Sequence, residues 1–318
     1  MKKSMFKLTI LRTRCLPAVI ALAALISAAP SAAQSATVLP SVSTVHFPGS
    51  GGVELVGYVY KPKGRGPWPA VVMLHGRGGP YSSNVNAACS FVRRGDASAC
   101  NVNTLTLRSK MWGKFWSDRG VLAVHVDSFG PRGVAHGFAS GTHGAAERES
   151  VNELTVRPLD AEAGKAYLLT RGDVRPAHIA LQGWSNGAST ALNVMFSQLS
   201  RPAGEPDFAR ALVFYPGCGS AALQSNKAYA AGAPSTVFLA GNDAEVNPET
   251  CRTALTNAPV TVRGSSAGAV DVTTYDGATH DFDDPGTSRQ AVPANVQAKA
   301  DAMARAAQIV KVMTRSPY

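Results

Sequence analysis

The sequence predicts an α/β fold, a mostly parallel sheet with helices on both faces. Three observations carry the prediction. Short, almost wholly apolar runs such as "PAVVMLHG", "VLAVHVDSFG" and "ARALVFYPG" fit strands buried on both faces. These runs alternate with segments of helical spacing over most of the chain, the order that joins parallel strands through crossover helices. No repeat, low-complexity stretch or linker divides the chain after its first residues, so residues 34–318 read as one domain.

The first 33 residues read as a signal peptide. Lys2, Lys3, Lys7, Arg12 and Arg14 precede the apolar run "LPAVIALAALISAA", and small residues at Ser31 and Ala33 suit cleavage after Ala33. The run is too short to span a bilayer comfortably, which takes about 20 residues, and no later stretch is a candidate span. The mature protein is therefore expected in the periplasm or outside the cell, with no stable membrane insertion. Cys15 precedes the apolar run and is not placed for lipidation. The targeting segment also distorts the charge. The 318-residue chain carries 31 Lys and Arg against 21 Asp and Glu, a formal +10. Without the five leader cations the balance is 26 to 21, or +5, with no dense basic block. That excludes a strong nucleic-acid footprint.

Along the mature chain, "STVHFPGSGGVELVGYVYKP" reads as two strands around a glycine-rich turn, and "PAVVMLHG" as a buried strand. Residues 81–120 read as helical and irregular, with Met111/Phe115 and Trp112/Trp116 at i,i+4 spacing. "VLAVHVDSFG" is the next strand. "ERESVNELTVRPLDAEAGKAYLLT" is a helix expected to break near Pro158. Then come the strand "AHIALQG", a helix from about Asn186, the strands "ARALVFYPG" and "STVFLAGND", a short helix near residues 248–255, the strand "VDVTTYDG" and a long C-terminal helix.

"LQGWSNGAST" sets Ser185 between Gly183 and Gly187, after a strand and before a helix. A turn that tight crowds its flanks, glycines relieve the crowding, and the serine stands at a helix N-terminus that favours negative charge. A serine hydroxyl needs a base, and the base needs a group to orient it. In this architecture the chain order is serine, acid, histidine. His280 is the one histidine after Ser185. Asp243, at the end of "STVFLAGND", is the expected acid, with Glu245 as the fallback. Asp207 precedes a strand, and Asp276 lies too near the strand that carries the histidine. Asp281, Asp283 and Asp284 either tune His280 or are solvated turn residues, and the second reading is preferred. The developing oxyanion needs donors. The backbone N–H of Asn186 is one, and that of Arg77, in the glycine-rich "MLHGRGGPY", is the other. His75 reads as structural. Trp184 either lines the acyl pocket or packs beneath it. Arg77 and Arg132 either bind a substrate carboxylate or are solvated, and Asp127 is expected to pair with Arg132.

After cleavage four cysteines remain: Cys89, Cys100, Cys218 and Cys251. An even count in an oxidising compartment suggests two disulfides, and of three possible pairings proximity favours Cys89–Cys100 with Cys218–Cys251. No C-x-x-C or H-x-x-x-H spacing supports zinc. His136 and His143 lack a matching third ligand, so no metal is expected.

"LHGRGG", "VDSFGPRG", "GWSNGA", "GND" and "DGATHDF", in that order, resemble the dienelactone hydrolase family of α/β-hydrolases. The resemblance spans most of the mature chain. It implies a mainly parallel sheet wrapped by helices, no cofactor, and a triad of Ser185, Asp243 and His280. The founding members use a cysteine nucleophile where this chain has Ser185, and the segment holding Cys89 and Cys100 is an insertion. A serine version resembles exported carboxylesterases of the family. The expected activity is hydrolysis of a small-molecule ester or lactone through an acyl-enzyme. A peptidase, a cutinase-like polyester hydrolase and a non-catalytic binding module are the other readings, and the sequence leaves the oligomeric state open.

Overall fold

The apolar runs form the centre of an eight-stranded sheet. Its strands are β1 (Val42–Pro48), β2 (Glu54–Tyr60), β3 (Trp68–Leu74), β4 (Leu122–Asp127), β5 (Val174–Trp184), β6 (Arg210–Phe214), β7 (Ser235–Ala240) and β10 (Asp271–Tyr275), in spatial order β1-β2-β4-β3-β5-β6-β7-β10. The β1–β2 and β2–β4 pairs are antiparallel and the rest are parallel. The computed structural model describes residues 42–315 apart from 203, 226–228, 263 and 264, and these all fall in one compact unit. The expected signal peptide and Cys15 lie outside the described residues.

Period-two alternation divides two cores. All seven residues of β3 are buried. Ala70, Val72 and Leu74 join a core completed by α2 (Val156–Leu169), α3 (Asn186–Ser197) and α4 (Pro248–Leu255). Val71 and Met73 join the opposite core, completed by α1 (Leu107–Ser117) and α6 (Pro293–Arg315) through Trp112, Trp116, Ala302 and Ala306. A strand with helices on both faces has no solvent side, so its sequence is continuously apolar. No described helix is long and apolar enough to cross a membrane.

Two expectations change. The break in the helix near Pro158 lies upstream of the proline. Residues 146–151 form 3-10 turns, and α2 starts at Val156, with Pro158 in its first turn, where no intrahelical N–H bond is lost. A two-stranded hairpin, β8 (Pro259–Val262) with β9 (Ser265–Ala269), was not expected, because its Gly/Ser-rich run lacks the apolar pattern of the main strands. One further short helix, α5 (Thr287–Gln290), precedes α6.

Both proximity-favoured disulfides are present. Cys89–Cys100 has a Cα separation of 6.2 Å and Cys218–Cys251 one of 4.9 Å. The first staples a loop that returns to its own base. Tyr81 bridges Leu105, Ser82 N–H donates to Thr104 O at 2.8 Å, and Thr106 N–H donates to Pro80 O at 2.9 Å. The second ties the segment after β6 to α4. Each bond is expected to stabilise by about 2–4 kcal/mol. Intact mass with and without reduction before alkylation should count two bonds in exported protein. Four alkylatable thiols among these cysteines without reduction would contradict the pairing.

Candidate active site

The corner between β5 and α3 explains both glycines of "GWSNG". A Cβ at Gly183 would sit 2.1 Å from Gly187 O, and one at Gly187 would sit 2.3 Å from Leu74 O. Between them Ser185 adopts φ 51°, ψ −116°, a left-handed conformation that is strained for a residue with a Cβ. Its N–H donates to Phe214 O at 2.9 Å, and its carbonyl accepts from Ala188 and Ser189 as α3 begins. These hydrogen bonds hold the strained turn, and with it the hydroxyl, at the carboxyl end of β5.

Ser185, His280 and Asp243, 95 and 37 residues apart, meet there. His280 Nε2 lies 3.0 Å from Ser185 Oγ, and His280 Nδ1 lies 2.7 Å from Asp243 Oδ2. Asp243 Oδ1 accepts from the N–H groups of Glu245 and Val246 at 2.8 and 3.1 Å, so backbone amides fix the carboxylate plane. Glu245 is placed otherwise. Its carboxylate accepts from Arg77 Nε at 2.9 Å and stands 3.8 Å from His280 Nε2, on the side away from Nδ1.

The two loops expected to supply oxyanion donors lie against this corner. Asn186 opens α3, where N–H groups have no intrahelical acceptor. The Arg77 turn is pinned by Gly79 N–H to Gly76 O and by Phe138 N–H to Arg77 O. The Arg77 side chain is partly exposed, and it pairs with Glu245 and donates to Phe138 O. His75 is structural, as expected. Its Nε2 accepts from Ser128 N–H, so Nδ1 carries the proton and donates to Gly76 O. Burial, then Arg157, lowers its pKa well below the usual value, which keeps the ring neutral.

A cavity of about 210 Å³ opens over Ser185 and His280. Trp184 lines it and also packs beneath the site, since it is 1% exposed. Most of the wall is polar: Arg77, Ser83, Asn86, Thr106, Arg108 and Glu245 among others. The Cys89–Cys100 loop contributes Ser83 and Asn86, with Thr106 just beyond its base.

Arg132 is a correction. It does not face this cavity. Its guanidinium grips both oxygens of Asp160, at 2.8 and 2.9 Å, and donates to Ser128 O. The expected Asp127–Arg132 pair is also absent. Asp127 is fully buried and accepts from Tyr81 OH and from the N–H groups of Phe129 and Gly130, while burial raises its pKa. A loop arginine and a loop aspartate look alike in sequence whether they meet each other or a distant partner.

The acidic run after His280 is the second correction. Asp283 is fully buried, accepting from Trp112 Nε1, Trp184 Nε1 and Tyr215 OH, and burial raises its pKa. The Tyr215 ring lies 4.6 Å from the His280 ring. Asp283 thereby braces the residue before the nucleophile and the ring beside the histidine. Asp281 and Asp284 flank Arg108 at 2.6 and 3.3 Å. Burial opposes charge on both partners, yet Arg108 holds the Asp281 pKa down and Asp281 foremost holds that of Arg108 up. Tyr215 and Arg108 were missed as site residues, and for Asp283 the solvated reading was preferred over a role beside His280. The one sequence signal was the proximity of Asp283 to His280.

The Dienelactone hydrolase family model matches residues 142–314, just over half of the chain and a span that holds Ser185, Asp243 and His280. No curated protein matches. Among solved structures, esterase 2 of Thermogutta terrifontis aligns at 16% identity and TM-score 0.56, over 88% of this chain and 98% of its own. A dienelactone hydrolase-like promiscuous phosphotriesterase from metagenomic libraries aligns at 16% and 0.56, over 86% and 98%. A hyperthermophilic esterase of the archaeon Pyrobaculum calidifontis aligns at 17% and 0.52, over 87% and 84%. At such identities the structures speak for the fold, and the fold they share is the one the strand order builds here. The family match reaches further, and on it the chain belongs to the dienelactone hydrolase family of α/β-hydrolases and is an enzyme of the carboxylic ester hydrolase class.

Proposed function

We propose that this protein is an exported serine esterase or lactonase that works through an acyl-enzyme on Ser185. The observation that carries the reading is the relay from Ser185 Oγ to His280 Nε2 to Asp243, at 3.0 and 2.7 Å, at the floor of a cavity. In the proposed cycle Oγ attacks the ester carbonyl carbon while its proton passes to Nε2. The N–H groups of Asn186 and Arg77 hold the oxyanion. Asp243 keeps the Nδ1 proton in place and stabilises the imidazolium. The alcohol leaves with the proton from Nε2, water enters, gives a proton to Nε2 and attacks the acyl carbon, and Nε2 passes that proton to Oγ as the bond from Oγ to the acyl carbon breaks and the acid product leaves. The two disulfides suit an oxidising compartment.

The wall of the cavity narrows the substrate class. Arg77, Glu245 and Arg108 are already paired with one another or with carboxylates, and burying an alkyl chain against such groups strips them of water without replacing it. A small, polar cavity suits short acyl groups and oxygen-rich alcohols. With p-nitrophenyl esters, kcat/KM for acetate or propionate should exceed that for octanoate by about tenfold or more. The same panel, extended to lactones, peptides and polyester film, tests the function itself. Turnover of peptides or polyester with silence on small esters and lactones would replace this reading.

A further inference from the structure

Beneath the corner that carries Ser185 lies a guanidinium that the cycle above does not use. Arg157, in the first turn of α2, is 0% exposed. Its planar fork spans two segments. Nη1 donates to Asn186 Oδ1, and Nη2 donates to His75 O at 2.7 Å. Asn186 follows the nucleophile, and His75 lies two residues before Arg77, so the fork joins the two segments that carry the expected oxyanion donors.

Among the described residues its direct acceptors are neutral oxygens. Asp160 is gripped by Arg132, and Glu153, Asp160, Arg148 and Asp127 act on Arg157 through space, while the Phe129 ring centroid lies 5.1 Å from its Cζ. Burial lowers its pKa to about 10, which leaves it charged at neutral pH. A buried cation without a direct counter-ion is a poor source of stability. The geometry around it is tight: Gly187 lacks a Cβ because one would sit 2.5 Å from the same His75 carbonyl that Arg157 holds.

We propose that Arg157 is a positioning residue of the oxyanion hole, setting the separation of the Asn186 and Arg77 amides by bridging Asn186 Oδ1 and His75 O. The proposal rests on the reading of Ser185 as nucleophile and of these amides as donors. Displacing one donor by about 1 Å is enough to cost about 100-fold in turnover. The effect belongs to the transition state, so kcat should fall while KM holds.

The test compares wild type with Arg157→Lys, Arg157→Met and Asn186→Ala on p-nitrophenyl acetate, with melting temperature and the pH profile of kcat/KM recorded for each. Lysine keeps the charge but cannot reach both acceptors as a planar fork does. Folded Arg157→Lys should lose about 30- to 100-fold in kcat, with KM within about twofold and the pH midpoint unmoved. Asn186→Ala, which removes the acceptor and keeps the backbone amide, should lose a comparable factor. The Arg157→Lys/Asn186→Ala double variant should lose no more than the worse single, because one bridge is broken in all three. A kcat within about threefold of wild type in folded Arg157→Lys or in Asn186→Ala, a loss confined to KM, or a shifted pH midpoint overturns the proposal. If the Arg157 variants do not fold, Asn186→Ala decides alone. An active wild type with unaffected variants overturns this proposal only. A wild type that hydrolyses no ester and whose Ser185 resists a fluorophosphonate overturns the functional reading, and this proposal with it.

Discussion

Ser185→Ala is expected to lower ester turnover by about five to six orders of magnitude while the protein stays folded. The loss is that large because the proposed route forms its one covalent bond to substrate through Oγ. What remains is catalysis by substrate binding and the oxyanion donors alone. Stability should change little. Alanine has the same Cβ at the strained φ of 51°, and among the described residues the hydroxyl makes one hydrogen bond, to His280 at 3.0 Å. Initial rates on p-nitrophenyl acetate and a thermal melt of the same preparation check both halves. Undiminished turnover in a purified, folded variant would remove Ser185 from its role.

Asp243→Asn is expected to cost about three to four orders of magnitude in turnover, again with the fold retained. The argument is one of tautomers. Asp243 Oδ2 accepts from His280 Nδ1 at 2.7 Å, which leaves Nε2 free to accept the serine proton. Two backbone amides, from Glu245 and Val246, donate to Oδ1 and will hold the oxygen of an asparagine in that place. The asparagine NH2 then faces Nδ1. The imidazole answers by moving its proton to Nε2, where it blocks the base. Glu245→Gln should cost much less, since that carboxylate serves Arg77 and stands 3.8 Å from Nε2. Comparing kcat of the two variants on one ester decides the assignment. If Glu245→Gln is inactive and Asp243→Asn nearly normal, the acid is Glu245.

The parts of this molecule that sequence reveals are those written in local pattern. The serine corner is legible because Gly183 and Gly187 are demanded by contacts within a few residues and with the neighbouring strand, and because a strand and a helix flank it. Strands β3 to β7 are legible because burial on both faces leaves runs that are mostly apolar, without the polar alternation of a half-exposed strand. The pairing of cysteines follows from short loops. What stayed hidden depends on partners far along the chain. Asp283 reads like its neighbours Asp281 and Asp284, and only Trp112, Trp184 and Tyr215, which lie 171, 99 and 68 residues away, make it a buried brace. Arg132 and Arg157 are two arginines in loop or helix-start contexts. One grips Asp160 and the other spans two neutral oxygens under the nucleophile, and neither choice leaves a mark in spacing. The β8–β9 hairpin stayed hidden because its run is rich in serine and glycine.

The most direct test of the central claim is the site of covalent modification by a fluorophosphonate, read by mass spectrometry of the intact protein and of its peptides. The reagent phosphonylates a serine only when a base and an oxyanion site activate it. The account predicts a single adduct per chain on the peptide that contains Ser185, absent in Ser185→Ala and formed far more slowly in Asp243→Asn. An adduct on another residue, or an unlabelled Ser185 in protein that is hydrolysing esters, would contradict it.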